Sequence, residues 1–211
     1  MNLWVIAGYV LAAGTLILLA ISSVQSLFQA ALLARCRTAS LAGLAGKSAA
    51  VCGPVKVRQV LRIAHLGDVL WHREIVKATR GQTVTIDSDV SDRADFSIVV
   101  GGEEVRVADN PTEVQGPGRR STKDGSGAFA VSRQTVIDEW LPIVDELTVV
   151  GRLRRTDAGW EIVGDAKSGL LFSRNDPQRA AFLESLKGWL GIAGTVAGFV
   201  ALWFLYFKLS T

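Results

Sequence analysis

Trp189–Phe207 reads WLGIAGTVAGFVALWFLYF, nineteen residues without a charged side chain. Wound as a helix at ~1.5 Å per residue it would run about 28 Å, close to the ~30 Å hydrocarbon core of a bilayer. Lys187 stands just before it and Lys208 just after. Trp189, Trp203 and Tyr206 lie towards its ends, where amphipathic rings sit at headgroup level. The alternative is the core helix of a soluble domain, but such a helix rarely stays apolar on every face for this long. The stretch is therefore expected to cross a membrane.

The other end behaves alike. It begins MNLWVIAGYVLAAGTLILLAI, and no charged side chain precedes Arg35. Leu3–Ile21 alone is long enough to span, and Ser22–Ala34 continues in mixed polar form with Leu27, Phe28, Leu32 and Leu33 at helical spacing. A cleaved secretory signal is the competing reading. Against it, the leading residues carry no Lys or Arg, and the apolar run exceeds the usual ~7–15 residues. A retained signal-anchor is expected.

Composition agrees with this division. The chain has 211 residues, 49% of them hydrophobic, and a mean hydropathy of +0.29. The middle holds 22 of the 23 basic residues and all 20 acidic ones, so the basic pI marks no general nucleic-acid surface. The partition reads as residues 1–34, a first transmembrane helix with a helical extension; 35–50, a basic linker; 51–174, a β-rich domain; 175–188, an amphipathic helix; 189–207, the second transmembrane helix; and 208–211, a tail. Arg35, Arg37 and Lys47 flank the inner end of one span, and Arg174, Arg179 and Lys187 that of the other. Because Lys and Arg resist translocation, this bias puts the middle domain in the cytoplasm and both termini on the opposite side. Arg35, Arg37, Lys47 and Lys187 are the expected lipid-headgroup contacts. Cys36 and Cys52 are read as free thiols, with a disulfide as the alternative in an oxidising compartment.

The middle reads as strands. Val55 and Val57 alternate with Lys56 and Arg58, the period-2 pattern of a half-buried strand. Val69–Thr79 and Gln82–Ile86 follow. Phe96, Ile98 and Val100 alternate with Asp95, Ser97 and Val99, and Gly101–Gly102 turns the chain into Glu103–Ala108, a hairpin signal. Asp109–Gly127, all turn residues and charge, is expected as a long mobile loop. Then come Phe129–Arg133, Thr135–Trp140, Leu147–Arg155, Trp160–Val163 and Leu170–Phe172, with Gly151 interrupting the third as a bulge or bend. Short strands at this spacing predict a mostly β domain, barrel- or sandwich-like, between two transmembrane α-helices. Asn175 or Asp176 is placed to cap a helix whose first position is Pro177.

Few residues carry a chemical signature. Gly46-Lys47-Ser48 suggests a phosphate loop, but that pattern needs Gly five positions earlier and Leu41 is there. His65, Asp68 and His72 form an H-x2-D-x3-H cluster that would need a turn and a fourth ligand to hold a metal. Ser132 and Ser168 lack a G-x-S-x-G setting. Glu139 is expected at a solvated strand end or paired with Arg73. No catalytic residue, metal or cofactor is expected.

The order span, CGPVKV, GDVLWHREIV, DFSIVVGGEEVRV, VIDEWLPIVDELTVVGRL, LLFSRNDPQ, span resembles the GIDE-type family. In that family a β-rich "beside-a-membrane" domain lies between two transmembrane helices, and its known members include mitochondrial outer-membrane RING-type E3 ubiquitin ligases. The resemblance covers roughly Leu3–Phe207 and rests on Trp71-His72-Arg73, Glu139, Val149–Gly151 and Phe172–Asp176. It implies that Trp71, His72, Arg73, Glu139 and Gly151 mark a partner or structural motif. The ligases' RING follows their second span and binds two zinc ions, whereas Lys208–Thr211 follow it here and the chain has two cysteines. No ubiquitin transfer by this chain itself is expected.

Two uses follow. One is a membrane adaptor or scaffold whose β domain binds a protein or lipid partner without catalysis. The alternative is a membrane subunit of a ubiquitin-ligase-like or other effector system whose catalytic part is on another chain. The bilayer and an unknown protein are the expected partners, with homo-oligomerisation open and no nucleic acid. Gly194 and Gly198 form G-x-x-x-G, and Gly8 and Ala12 give the first span a small-residue face, so these four are expected to pack helix on helix.

Overall fold

A computed structural model describes residues 3–36, 40–80, 83–124, 132–166 and 169–210. The chain divides into two compact units, one made of both ends and the other of Cys36–Asp176.

The terminal unit is a pair of helices, α1 (Leu3–Leu33) and α2 (Pro177–Ser210). Each contains a stretch long and apolar enough to cross a membrane, Gly8–Leu33 and Pro177–Leu205. Pro177 opens α2, where its missing N–H costs no hydrogen bond. The amphipathic stretch, expected to lead through Gly188 straight into the second span, does so: Pro177–Ser210 is one helix, with Gly188 packed against α1. The two helices run antiparallel: a Cβ at Gly188 would meet Leu27, one at Gly191 would meet Ser23, and one at Gly198 would lie 2.5 Å from Leu16. Small residues here let the two backbones approach closely. The Ser23 and Thr195 hydroxyls donate back to the carbonyls of Leu19 and Gly191, at 2.6 and 2.8 Å, so neither is left bare in an apolar setting.

The other unit is mostly β. Five of its strands close a barrel: β1 (Ser48–Gln59), β5 (Asp95–Val100), β6 (Glu103–Val107), β11 (Gly159–Val163) and β10 (Glu146–Thr156), in that order, with β10 returning to β1. Neighbours are antiparallel except β6 and β11. The result is a five-stranded Greek-key barrel, the class that contains the OB-folds. β12 (Leu171–Ser173) and β7 (Glu113–Gln115) extend the sheet from β10. Alternation does what the sequence implies: Val51, Phe96, Ile98, Val105, Val149 and Ile162 point inward and are fully buried. Each such side chain contributes roughly 1.5–3 kcal/mol. Phe96 and Phe172 meet edge to face, with centroids 5.7 Å apart. At the β5–β6 turn Gly101 and Gly102 both have positive φ, 58° and 85°, as a two-residue hairpin of this hand requires.

Closure depends on two strands that change partners. β1 pairs with β10 over Ser48–Pro54 and with β5 from Val55 onward. β10 pairs with β12 over Thr148–Val150 and with β11 from Arg152. A glycine stands at each changeover. A Cβ on Gly53 would lie 2.0 Å from the Val99 carbonyl oxygen, and one on Gly151 would lie 2.6 Å from that of Val163. Gly151 is therefore no bulge. The β1–β10 register runs through it unbroken, and the residue is small because β11 passes so close.

The second sheet is built from two excursions out of the barrel. Between β1 and β5 come β2 (Leu61–Ile63), β3 (Gly67–Arg80) and β4 (Thr83–Arg93); between β6 and β10 come β8 (Gly118–Asp124) and β9 (Ser132–Pro142). β3 is central, pairing with β2 and β4 and with β9, which in turn carries β8. Several expected boundaries shift. Ser48–Ala50, expected as linker, begins β1. β4 continues through 87–93, and β9 runs unbroken from Ser132, while 129–131 lie outside the described residues. The stretch 109–124, expected as loop, contains β7 and β8. β8 pairs only with β9 and exposes Arg119–Thr122 on both faces, so it has no apolar alternation to read. Residues 125–127 of that expected loop lie outside the described residues.

Candidate functional site

A cluster of ionisable groups lies where the β2–β3 turn meets β9. His72, on β3, is buried, and its Nε2 is 3.0 Å from Asp138 Oδ1. His65, in the turn, places its Nε2 3.4 Å from the other oxygen, Oδ2. The two rings stand edge to face with centroids 6.5 Å apart. Asp138 is 4% exposed. A buried carboxylate needs polar partners, and here His72 hydrogen-bonds one oxygen while His65 stands within ion-pair distance of the other. With each ring protonated at Nε2, its Nδ1 faces away from the carboxylate.

The two histidines of the H-x2-D-x3-H spacing thus come together, but Asp68 does not join them. Its carboxylate lies 2.8 Å from Arg62 Nε on the outside of the β2–β3 hairpin, and that hydrogen bond holds it below the usual carboxylate range. Asp138 takes the place, 66 residues beyond His72 in sequence. Only the β3–β9 pairing brings it there, and no local spacing announces it. Among the described residues no group of three or more His, Cys, Asp or Glu is arranged to hold a metal ion. The cluster ties the turn to β9.

The other residues of the motif divide between core and surface. Trp71 is in the core beside Leu70 and Leu141, its indole N–H without a hydrogen-bond partner. Arg73 does not pair with Glu139. Its Nε and Nη2 donate to the two oxygens of Asp89 on β4, at 2.7 and 2.6 Å, a bidentate pair that raises the guanidinium and lowers the carboxylate. Glu139 lies 3.5 Å from Arg119 on β8 instead. Both pairs lie across neighbouring strands, so they follow from register. On the barrel, Lys56 and Arg58 project from β1 towards Glu104 on β6, and their hydrogen bonds, Lys56 first, bring that carboxyl down to about 2.

Of the expected headgroup contacts, Arg35 is exposed just past α1, Lys47 is exposed beside β10, and Lys187 lies on α2 with its Nζ 3.8 Å from Glu184. Arg37 lies outside the described residues. Of the expected packing glycines, Gly198 is in tight contact, Gly194 meets Leu19 at an ordinary 3.8 Å, and Gly8 has nothing within 4 Å. Gly8 stands outside the seam, and Ala12 is half-buried on α1. Gly188 and Gly191, which complete the heptad-like row with Gly198, escape a search for G-x-x-x-G because they sit three apart. Cys36 and Cys52 are free thiols and neighbours. A hydrogen bond from Cys36 is the main cause that brings the Cys52 thiol down to about 6, against the effect of burial.

A cleft of about 630 Å3 lies elsewhere, between the end of β4 and β6. Arg93 reaches through it to the carbonyls of Ala94 and Ala108, and burial lowers its pKa. Arg106 meets Asp95 at 3.2 Å, and Asp109 accepts the Gly164 N–H at 2.8 Å. These groups satisfy one another and join the barrel to the second sheet.

No protein-family model, curated protein or solved structure matches this chain.

Proposed function

We propose that this protein is a two-pass membrane adaptor, with a β domain that binds a partner and performs no catalysis of its own. The supporting observation is the bracketing of a β unit, Cys36–Asp176, by two helices each long and apolar enough to span a bilayer. Within the β unit, β4 is an outer strand that exposes Val84, Ile86 and Val90, by 60%, 63% and 55%. An edge strand carrying apolar side chains is a surface that a partner protein covers. The charge bias of Arg35, Arg37 and Lys47 against Lys208 supports a cytoplasmic domain with both termini on the far side.

The resemblance to the GIDE-type family supports a second reading, a membrane subunit whose transferase partner is a separate chain. The two readings share the surface and differ in what occupies it. A photoreactive residue at Ile86 of the full chain, activated in native membranes, tests both. The expected result is a discrete protein adduct that Val84→Asp removes. Identification of that adduct as a conjugating enzyme would favour the second reading, lipid adducts alone would leave only the lipid-binding form of the first, and no adduct of either kind would overturn both.

A further inference from the structure

The end of β10 reads RLRR, Arg152–Arg155. Strand alternation sends Leu153 into the barrel core and turns Arg152 and Arg154 outward. Arg155 is held over the Trp160 ring, its Cζ 5.6 Å from the centroid. The three arginines line a groove of about 600 Å3 together with Ala45, Gly46, Val163 and Gly164. Lys47 adjoins it: the Leu153 N–H donates to the Lys47 carbonyl at 3.0 Å, and the Gly46 N–H donates to the Leu153 carbonyl at 2.7 Å. Arg152 Nε donates to the Gly46 carbonyl at 3.0 Å, which fixes the plane of its fork.

What sets this groove apart is uncompensated charge. Elsewhere on the domain Arg62 meets Asp68, Arg73 meets Asp89 and Arg106 meets Asp95. Among the described residues Lys47, Arg152, Arg154 and Arg155 form no ion pair with a carboxylate. Glu161, opposite Arg154 in the β10–β11 register, is no exception. Planar guanidinium forks match the oxygens of a phosphate group, and three of them around one groove favour a phosphate-bearing anion over an isolated carboxylate. Both ends of the domain run into the membrane-spanning helices, so lipid headgroups are present at high effective concentration throughout its life.

We infer that the Arg152–Arg154–Arg155 groove binds the phosphate headgroup of an anionic lipid. This inference rests on the two-pass reading but not on the partner surface at β4. The test uses the full chain in neutral detergent, titrated with phosphatidylglycerol or phosphatidylcholine and followed by native mass spectrometry. Phosphatidylglycerol is expected to bind at least about tenfold more tightly, and the double substitution R152Q/R154Q to weaken it about thirtyfold. R119Q/R120Q, with the same charge loss on the second sheet, should leave the preference intact. Glycerol 3-phosphate, which lacks acyl chains, should compete only weakly. An unchanged lipid preference in R152Q/R154Q would overturn the inference. So would glycerol 3-phosphate binding as tightly as the lipid, or displacement of the lipid by an equal concentration of a single-stranded oligonucleotide. Loss of the preference in R152Q/R154Q with the Ile86 adduct intact would confirm the groove's role without touching the adaptor reading; absence of any adduct at Ile86 in the parent chain, with the preference intact, would sink the adaptor reading alone.

Discussion

Cys52 lies on β1 with its side chain half-buried, next to Cys36, which follows α1 in the chain. A thiol brought to about 6 is largely thiolate at neutral pH. Because the folded-state value is depressed, the linked stability is fully present above the ordinary thiol range and is lost as pH falls through about 6. Alkylation of Cys52 by iodoacetamide should accordingly reach half its maximal rate near pH 6. In Cys36→Ala, which removes the main donor, the midpoint should climb towards the ordinary thiol value of ~8.5. A Cys36→Ala profile that overlays the parent would contradict the arrangement. At this scale the sequence shows which residues are chemically capable, but not which meet. The spacing of His65, Asp68 and His72 suggests a local trio, whereas the strand order pairs Asp68 with Arg62 and brings in Asp138 from β9. Arg73 and Glu139 are register neighbours, yet each finds its ion-pair partner on the strand lying on its other side, Asp89 on β4 and Arg119 on β8.

Among the elements, the helices are the easiest to read, since nineteen uncharged residues admit few other structures. Their seam is less so. G-x-x-x-G picks out Gly194 and Gly198, but the close contacts follow Gly188, Gly191 and Gly198, a period nearer that of two helices wound about each other. Leucine at 191 or 198 would drive a side chain into Ser23 or Leu16, and overpacking of this kind costs ~1–3 kcal/mol. Disulfide crosslinking between cysteines placed on α1 and α2 should fall in Gly191→Leu and Gly198→Leu and stay at the parent level in Gly8→Leu, where the space is open. Equal yields in all three would mean that the helices do not meet along this row. Among the strands, those with a buried face declare themselves by alternation, as β1, β5 and β6 do. β8 does not, because an edge strand solvated on both faces needs no apolar residues.

For the molecule as a whole, a mostly β domain between two apolar helices is written into composition and period. The closure of the barrel is not. It depends on β1 and β10 each serving two partners, and the only local trace is a glycine at each changeover, Gly53 and Gly151. In a linear reading those glycines look like ordinary interruptions, and only the carbonyls of Val99 and Val163 passing beside them give their reason. The proposed function depends on the helices being in lipid, since an adaptor surface at β4 and an anion groove at the end of β10 gain their meaning from a membrane close by. Alkaline carbonate extraction of membranes containing the full chain tests that directly. The protein should stay in the membrane pellet at pH 11 and be released only by detergent. Recovery in the carbonate supernatant would contradict the account.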